Sequence, residues 1–403
     1  MTAAVDDVPI VDVDSHVAEP EDLWTSRMPS RLGDAIPRVV WDEGAGESRW
    51  KVGDVLLSAV GEYCSAGWPE HFPSHPPTLA DADPACYDAK ARLGRLDAYG
   101  VWAQVLYPNV IAFDAHAFLT ELGPEIAGAC VEAYNDFLAE FASTDPRRLV
   151  PLMMLPFWDV EASVREMERC RAMGHRGILF AALFDRLGLP NIADPSWAPV
   201  LAAAQDLGLS LNLHIGFGMR DKAESERGWA KRTKTALQQR TDRLSFVRRG
   251  GPYFASCAQG ISDVIVSGVC HRYPRLKIVS VESGFGYFPF LIENLDWLWR
   301  TSGAADEYPD RELPSAYFRR QVYATFWFER SSVPLFEDFQ DNIMFETDFP
   351  HETGLGPGPT SPASSARETV RHNLAALPPD VLHKVVFGNA ATLYGLEPPG
   401  AAG

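Results

Sequence analysis

The sequence lacks the positive charge of a nucleic-acid binder. Its 36 Lys and Arg are outnumbered by 54 Asp and Glu, for a net charge of −18, which leaves nothing basic to neutralise phosphates. No C-x-x-C pair is present. The six cysteines, at 64, 86, 130, 170, 257 and 270, are scattered, so no disulfide framework is in view and reduced thiols in a cytoplasmic protein are expected. No apolar run is long enough to span a bilayer. The acidic start, Met1–Asp7, lacks the positive charge and apolar stretch of a signal peptide, so no membrane association is expected. There is no internal repeat. What remains is ordinary for a soluble enzyme: 403 residues, 46% hydrophobic and 22% charged, enough to bury one large core.

Short apolar runs alternate with helical patterns along most of the chain. Strands are expected at Val8–Asp14, Ala103–Tyr107, Leu149–Leu155, Gly177–Phe180, Leu209–His214, Leu276–Glu282, Gln321–Phe326 and Asn342–Thr347. Helices fall between nearly all of them, several ending at a glycine such as Gly174 or Gly208. Near-continuous apolar strands separated by helices mean a parallel sheet buried on both faces. Eight such units predict a (β/α)₈ barrel. A doubly wound open sheet is the runner-up, but its usual Gly-rich phosphate loop is absent. Residues 1–403 then form a single barrel domain with two insertions. One, about 20–83, follows strand 1, is rich in Pro, Gly and Trp, and holds a hairpin at Arg49–Leu57. The other, about 217–250, follows strand 5 and is highly charged. Glu19-Pro20 reads as a helix start. A short helix is expected at Val333–Phe339, and two closing helices at 366–376 and 378–394.

In a barrel of this kind the active site lies at the C-terminal ends of the strands. Strand 1 ends in Asp14 and His16, strand 5 in His214, strand 6 in Glu282 and strand 8 in Asp348, with His351 three residues on. Polar groups at the ends of buried strands are costly unless something uses them. Asp14 and His16 are two apart, so a strand turns both to one face. Asp14, His16, His214 and Asp348 together offer two nitrogens and two oxygens. That set suits one divalent ion, Zn²⁺ or Mn²⁺, with Fe²⁺ and Co²⁺ also open. Asp12 reads as a structural partner at the barrel mouth. Aromatics just past strand ends, among them Tyr107, Phe217 and Trp327, suit a pocket for an aromatic or extended apolar substrate.

These motifs resemble the amidohydrolase superfamily, in its amidohydrolase-related branch. That branch includes aminocarboxymuconate-semialdehyde decarboxylase and the γ-resorcylate and 5-carboxyvanillate decarboxylases. The resemblance rests on Val11-Asp12-Val13-Asp14-Ser15-His16, Leu213-His214, Leu276-Lys277-Ile278-Val279, Glu346-Thr347-Asp348-Phe349-Pro350-His351 and the closing Phe387–Leu396. It implies a distorted barrel with one divalent metal, a metal-bound water and a homodimer. Two positions depart from the family. Its usual first ligand is His or Glu, where this chain has Asp14. Its usual catalytic His at the end of strand 6, followed by Gly-Gly, is here Glu282 followed by Ser283-Gly284. Strand 4 offers no Lys for carbamylation, so a single metal is expected.

The expected function is a metal-dependent enzyme acting on a small aromatic or unsaturated carboxylic acid, first of all a non-oxidative decarboxylase. Glu282 and His351 are the candidates for proton transfer. The alternative is a hydrolase of an amide, ester, lactone or C–C bond, with metal-bound hydroxide as nucleophile and Glu282 as base. A non-catalytic ligand-binding barrel is the third reading.

Overall fold

The computed structural model describes residues 2–217, 243–248, 250–356 and 364–400. Eight parallel strands lie in the order β1 (Val11–His16), β5 (Ala103–Tyr107), β6 (Leu149–Met153), β7 (Gly177–Ala181), β8 (Ser210–His214), β9 (Ile278–Val281), β10 (Val322–Phe326) and β11 (Ile343–Phe345). Nearly every residue in them is buried, as strands covered on both faces must be. The ring closes where Ser15 bridges Phe349, His16 N donates to Phe349 O at 2.6 Å and Asp348 N donates to Asp14 O at 2.9 Å. Helices sit between most of the strands, and the whole is a (β/α)₈ barrel.

The closure has its own fastener. The buried Asp12 carboxylate accepts from Thr347 N at 2.7 Å and Gln104 Nε2 at 2.7 Å, so it ties β1 to both neighbours. Burial pushes its carboxyl up to about 7, against the pull of the Thr347 and Gln104 hydrogen bonds. β1 also carries an irregularity. Its register with β5 shifts between Asp12 and Ser15, a bulge of the kind that re-aims side chains. The strand runs on to His16 instead of stopping at Asp14.

Helix signals in the sequence hold at their ends. Asp88 caps Ala89–Tyr99 by accepting from Ala91 N at 2.7 Å, and Gly100 ends it at φ 72. Asp159 caps Val160–Ala172 in the same way. Other expectations are revised. The sequence pattern predicts a long helix at about Pro124–Thr144; the structure has it at Ala115–Ala142, with a break at Gly123 (φ 73) ahead of Pro124. Val333–Leu335 is only a 3₁₀ turn. The final helical stretch is divided into Pro379–His383, Lys384–Gly388 and Asn389–Tyr394.

The first insertion contains a three-stranded antiparallel sheet, β2 (Arg38–Asp42), β3 (Glu47–Val52) and β4 (Val55–Ala59). The hairpin was legible, whereas β2, half-exposed along its length, shows no alternation. Trp50 packs edge-on against Trp24, which also meets Phe118. Each such aromatic pair adds about 0.5–1.5 kcal/mol beyond the area it buries. Of the second insertion, residues 218–242 and 249 lie outside the described residues, and with them most of the basic run. After it come helices Phe254–Val266 and Val269–Arg272, separated at Gly268 (φ 85).

Candidate metal centre

His16 ends β1 and His214 ends β8, and both rings are buried. His16 Nδ1 lies 2.9 Å from Pro108 O, and His214 Nδ1 lies 2.5 Å from Ile215 O. A carbonyl only accepts, so each Nδ1 is the donor and carries the ring proton. In the neutral form of such a ring the lone pair is on Nε2. The two Nε2 atoms face each other at 3.2 Å, an arrangement that is repulsive unless a positive charge lies between the rings.

Three carboxylates surround that point. Asp14 Oδ1 is 3.5 Å from each Nε2. Asp348 Oδ1 is 3.6 Å from His16 Nε2, and Glu282 Oε2 is 3.8 Å from His214 Nε2. Both oxygens of Asp14 are buried without a hydrogen-bond partner. Burial, with His351 and His214 nearby, pushes His16 well below its ordinary range, so a proton does not supply the missing charge there. Burial pushes the Asp14 carboxyl up, with His214 pulling against it. Burial and the charges of Asp348 and Asp14 push Glu282 far up. Imidazole nitrogens and crowded carboxylate oxygens at these separations fit a divalent cation, which satisfies all of them at once. Each imidazole also has the carbonyl partner that fixes a metal-binding tautomer.

The backbone is strained at this place. Glu282 (φ 52) and Asp348 (φ 55) are the non-glycine residues with left-handed φ among the described residues. Side chains occupy that region at a cost of about 1–3 kcal/mol, met elsewhere in the fold. Both carboxylates belong with Asp14 to a set whose oxygens lie within 4.8 Å of one another. Glu346, buried just past β11 and so two strands over from Glu282, accepts Glu282 N at 3.1 Å and so holds that turn. Its other oxygen has no partner, and burial and Asp14 push its carboxyl far up. The Thr353 hydroxyl bonds Asp348 Oδ2 and lies 3.5 Å from Glu282 Oε1.

His351 stacks on His16 with ring centroids 3.9 Å apart, and its Nδ1 lies 2.8 Å from Asp348 Oδ1. Burial alone would lower its pKa, but the Asp348 carboxylate, together with Glu352 and Asp14, raises it on balance. Thus Asp14, His16, His214, Asp348, Glu282 and His351, all named from strand-end position, gather at one point. Glu346 and Thr353 were not singled out. Glu346 sits on the strand whose tip supplies Asp348, and a second acid two residues before a ligand was a usable signal. Thr353 had none.

Beside this point opens a cavity of about 1430 Å³. Glu282, His351, Glu352 and Thr353 lie on its wall, as do Tyr63, Phe113, Trp327, Phe328 and Tyr287. Among the described residues lining it, Arg248 is the one Lys or Arg. Trp327 is therefore where a substrate contact was expected. Tyr107 and Phe217 are not on the wall. Tyr107 is fully buried with its ring 5.2 Å from that of His214 and its hydroxyl 3.4 Å from Asn212 Oδ1, so it supports the histidines from within the barrel. Phe217 is buried against Phe157 at 5.8 Å.

Barrel, rim position and donor set together define a protein of the (β/α)₈ class with a candidate metal centre at the barrel mouth. The family model described as Amidohydrolase matches residues 12–396, and the chain belongs to that family. Among curated relatives, 2-amino-3-carboxymuconate-6-semialdehyde decarboxylase of Dictyostelium discoideum is 26% identical over 331 residues, 79% of either chain. Among solved structures, the amidohydrolase map2389c of Mycobacterium avium subsp. paratuberculosis K-10 is similar with a TM-score of 0.71 at 21% identity, covering 96% of this chain and 100% of that one. A dihydroxybenzoic acid decarboxylase of Polaromonas sp. JS666, with bound manganese and 2-nitroresorcinol, has a TM-score of 0.60 at 19% identity, covering 96% and 97%. Among the described residues no helix is long and apolar enough to cross a membrane.

Proposed function

We propose that this chain is a divalent-metal-dependent, non-oxidative decarboxylase of an aromatic or unsaturated carboxylic acid. The observation that carries the reading is the pair of Nε2 atoms 3.2 Å apart, each ring holding a carbonyl at its Nδ1, among buried carboxylates at the edge of an aromatic-walled cavity. Asp14, His16, His214 and Asp348 would hold the ion, Mn²⁺ or Zn²⁺. Oxygen-rich donors and the manganese in the Polaromonas structure favour Mn²⁺. When bound, the ion polarises the substrate's carboxylate and an adjacent oxygen.

The chain's own residues supply the rest. Glu282 faces the cavity, and burial beside Asp348 and Asp14 pushes its carboxyl up, the direction a proton donor needs. It delivers its proton to the ring carbon that bears the carboxylate. The C–C bond then breaks, its electron pair returns to the ring, and CO₂ leaves. His351 has one nitrogen turned to Asp348 and the other to Asn109, so its role is to hold Asp348. Trp327, Phe328, Tyr63 and Phe113 give the ring apolar surfaces, and Arg248 on the wall suits an acid.

A hydrolase reading stands on Glu282, since a carboxylate beside a metal site also suits a base acting on water. Incubating the metal-replete chain with a panel of hydroxybenzoates and unsaturated diacids separates the two. Decarboxylation releases one CO₂ per acid consumed. Release of an amine, alcohol or second acid from amide, ester or lactone probes, with no CO₂ from any acid, would replace this reading with the hydrolase. We also propose a homodimer, for which the exposed Phe290 and Trp297 on helix Phe288–Thr301 offer an apolar face. A reducing, cytoplasmic setting is supported by six buried, unpaired cysteines.

A further inference from the structure

We infer that Asn109, locked in place by the buried Glu19, is a positioning residue that sets the orientation of His351 over the metal centre. The inference rests on the reading above for what His351 serves. The geometry itself stands apart from it. Asn109 is fully buried at the end of β5's following loop, just before the short helix Val110–Phe113. Its Nδ2 donates to Val17 O at 3.1 Å. A carbonyl cannot donate, so the amide has one workable orientation, and its Oδ1 must be the atom that faces His351. Oδ1 lies 2.8 Å from His351 Nε2. His351 is therefore an Nε2–H donor to Asn109, and Nδ1 is the nitrogen left for Asp348, 2.8 Å away.

The asparagine is held in turn from below. The Glu19 carboxylate, 3% exposed, accepts Asn109 N at 3.0 Å. It also meets the backbone N–H groups of Val110 and Ile111, and so closes the start of that short helix. Glu19 thus follows strand 1 as a buried anchor for the neighbouring loop; the next helix begins later, at Leu23. The chain of contacts runs Glu19, Asn109, His351, Asp348. It joins the loop after β5 to the loop after β11 across the mouth of β1. The stacking of His351 on His16 at 3.9 Å depends on the same ring orientation. A group held this way loses most of its freedom to swing into the cavity or to flip. Removing the outer partner of such a ring typically costs about 10–100-fold in activity.

The test uses the full chain loaded with Zn²⁺, which is diamagnetic, and ¹⁵N-labelled histidine. In the wild type an Nε2–H signal with slow solvent exchange should be present and should disappear in His351→Gln. Asn109→Ala should lose the slow exchange of that signal and lower kcat by about 10–100-fold, with KM changed less than about threefold and zinc retained. Asn109→Asp gives up the Nδ2 donor to Val17 O but keeps an acceptor facing His351, so it should keep the signal that Asn109→Ala loses. The inference is overturned if the wild-type His351 ring carries its proton on Nδ1 alone, or if the signal is unchanged in Asn109→Ala. It is also overturned if the Ala and Asp variants lose the signal equally. The wild-type spectrum decides even if the Ala variant does not fold. The spectra need no substrate, so failure of the decarboxylase reading, seen as no CO₂ from any acid, is a separate result.

Discussion

His214→Ala removes the metal from an otherwise folded barrel. The substitution deletes one of two nitrogen donors and leaves Asp14, whose two oxygens have no hydrogen-bond partner, still buried beside the gap. Loss of a direct ligand should exceed the 10–100-fold that follows when only a ligand's outer partner is lost. Occupancy after desalting should fall from about one ion per chain to about a tenth or less, and turnover with it. Metal analysis reads the first and a CO₂ assay the second. The His214 ring sits at the strand's last position, on the inner face, with Ile215 O as its partner. The core beneath is untouched, and the far-ultraviolet circular dichroism spectrum should be that of the wild type. Full metal retention would remove His214 from the ligand set.

Glu282→Gln should have the second large effect, and a different signature. Gln has the same shape and can keep the strained backbone at φ 52 and the Glu346 contact to the main-chain N–H. It cannot carry a transferable carboxyl proton. Loss of general acid–base catalysis is typically worth about 10²–10⁴ in rate. We expect kcat to fall by about that factor while the metal stays. Unchanged kcat would make Glu282 structural. Loss of the metal together with activity would make it a ligand, which its 3.8 Å approach to His214 Nε2 also accommodates.

The barrel and the cluster of strand-end polar residues were legible in the sequence because both obey simple spacing. Buried parallel strands read as apolar runs, and ligands sit at strand ends, so Asp14, His16, His214, Glu282 and Asp348 could be found by counting. The loops that complete the centre obey no such period. Asn109, Thr353 and Glu19 reach it through turns whose course is set by packing, and nothing local in the chain marks them. Glu19 looked like a helix start because Glu-Pro often is one, yet the carboxylate turned inward to meet three backbone N–H groups.

Depth was the other quantity spacing could not give. Tyr107, Phe217 and Trp327 all lie at or just beyond strand ends. Only Trp327 lies on the cavity wall, because Tyr107 ends its strand pointing inward beneath the histidines, and Phe217 turns onto Phe157. The bulge in β1 is a similar case. A strict period of two places Asp14 and His16 on one face, and both do reach the centre. The register shift between Asp12 and Ser15 is invisible in the sequence. It accompanies the placing of Asp12 on the β11 backbone while Asp14 turns to the histidines.

The central claim is that one divalent ion sits among Asp14, His16, His214 and Asp348. Anomalous diffraction from manganese-replete crystals at the Mn absorption edge tests it most directly. The account predicts a single strong peak per chain, about 2.0–2.3 Å from a nitrogen or oxygen of each of these four residues. No peak at the barrel mouth, or a peak bound by other residues, would contradict it.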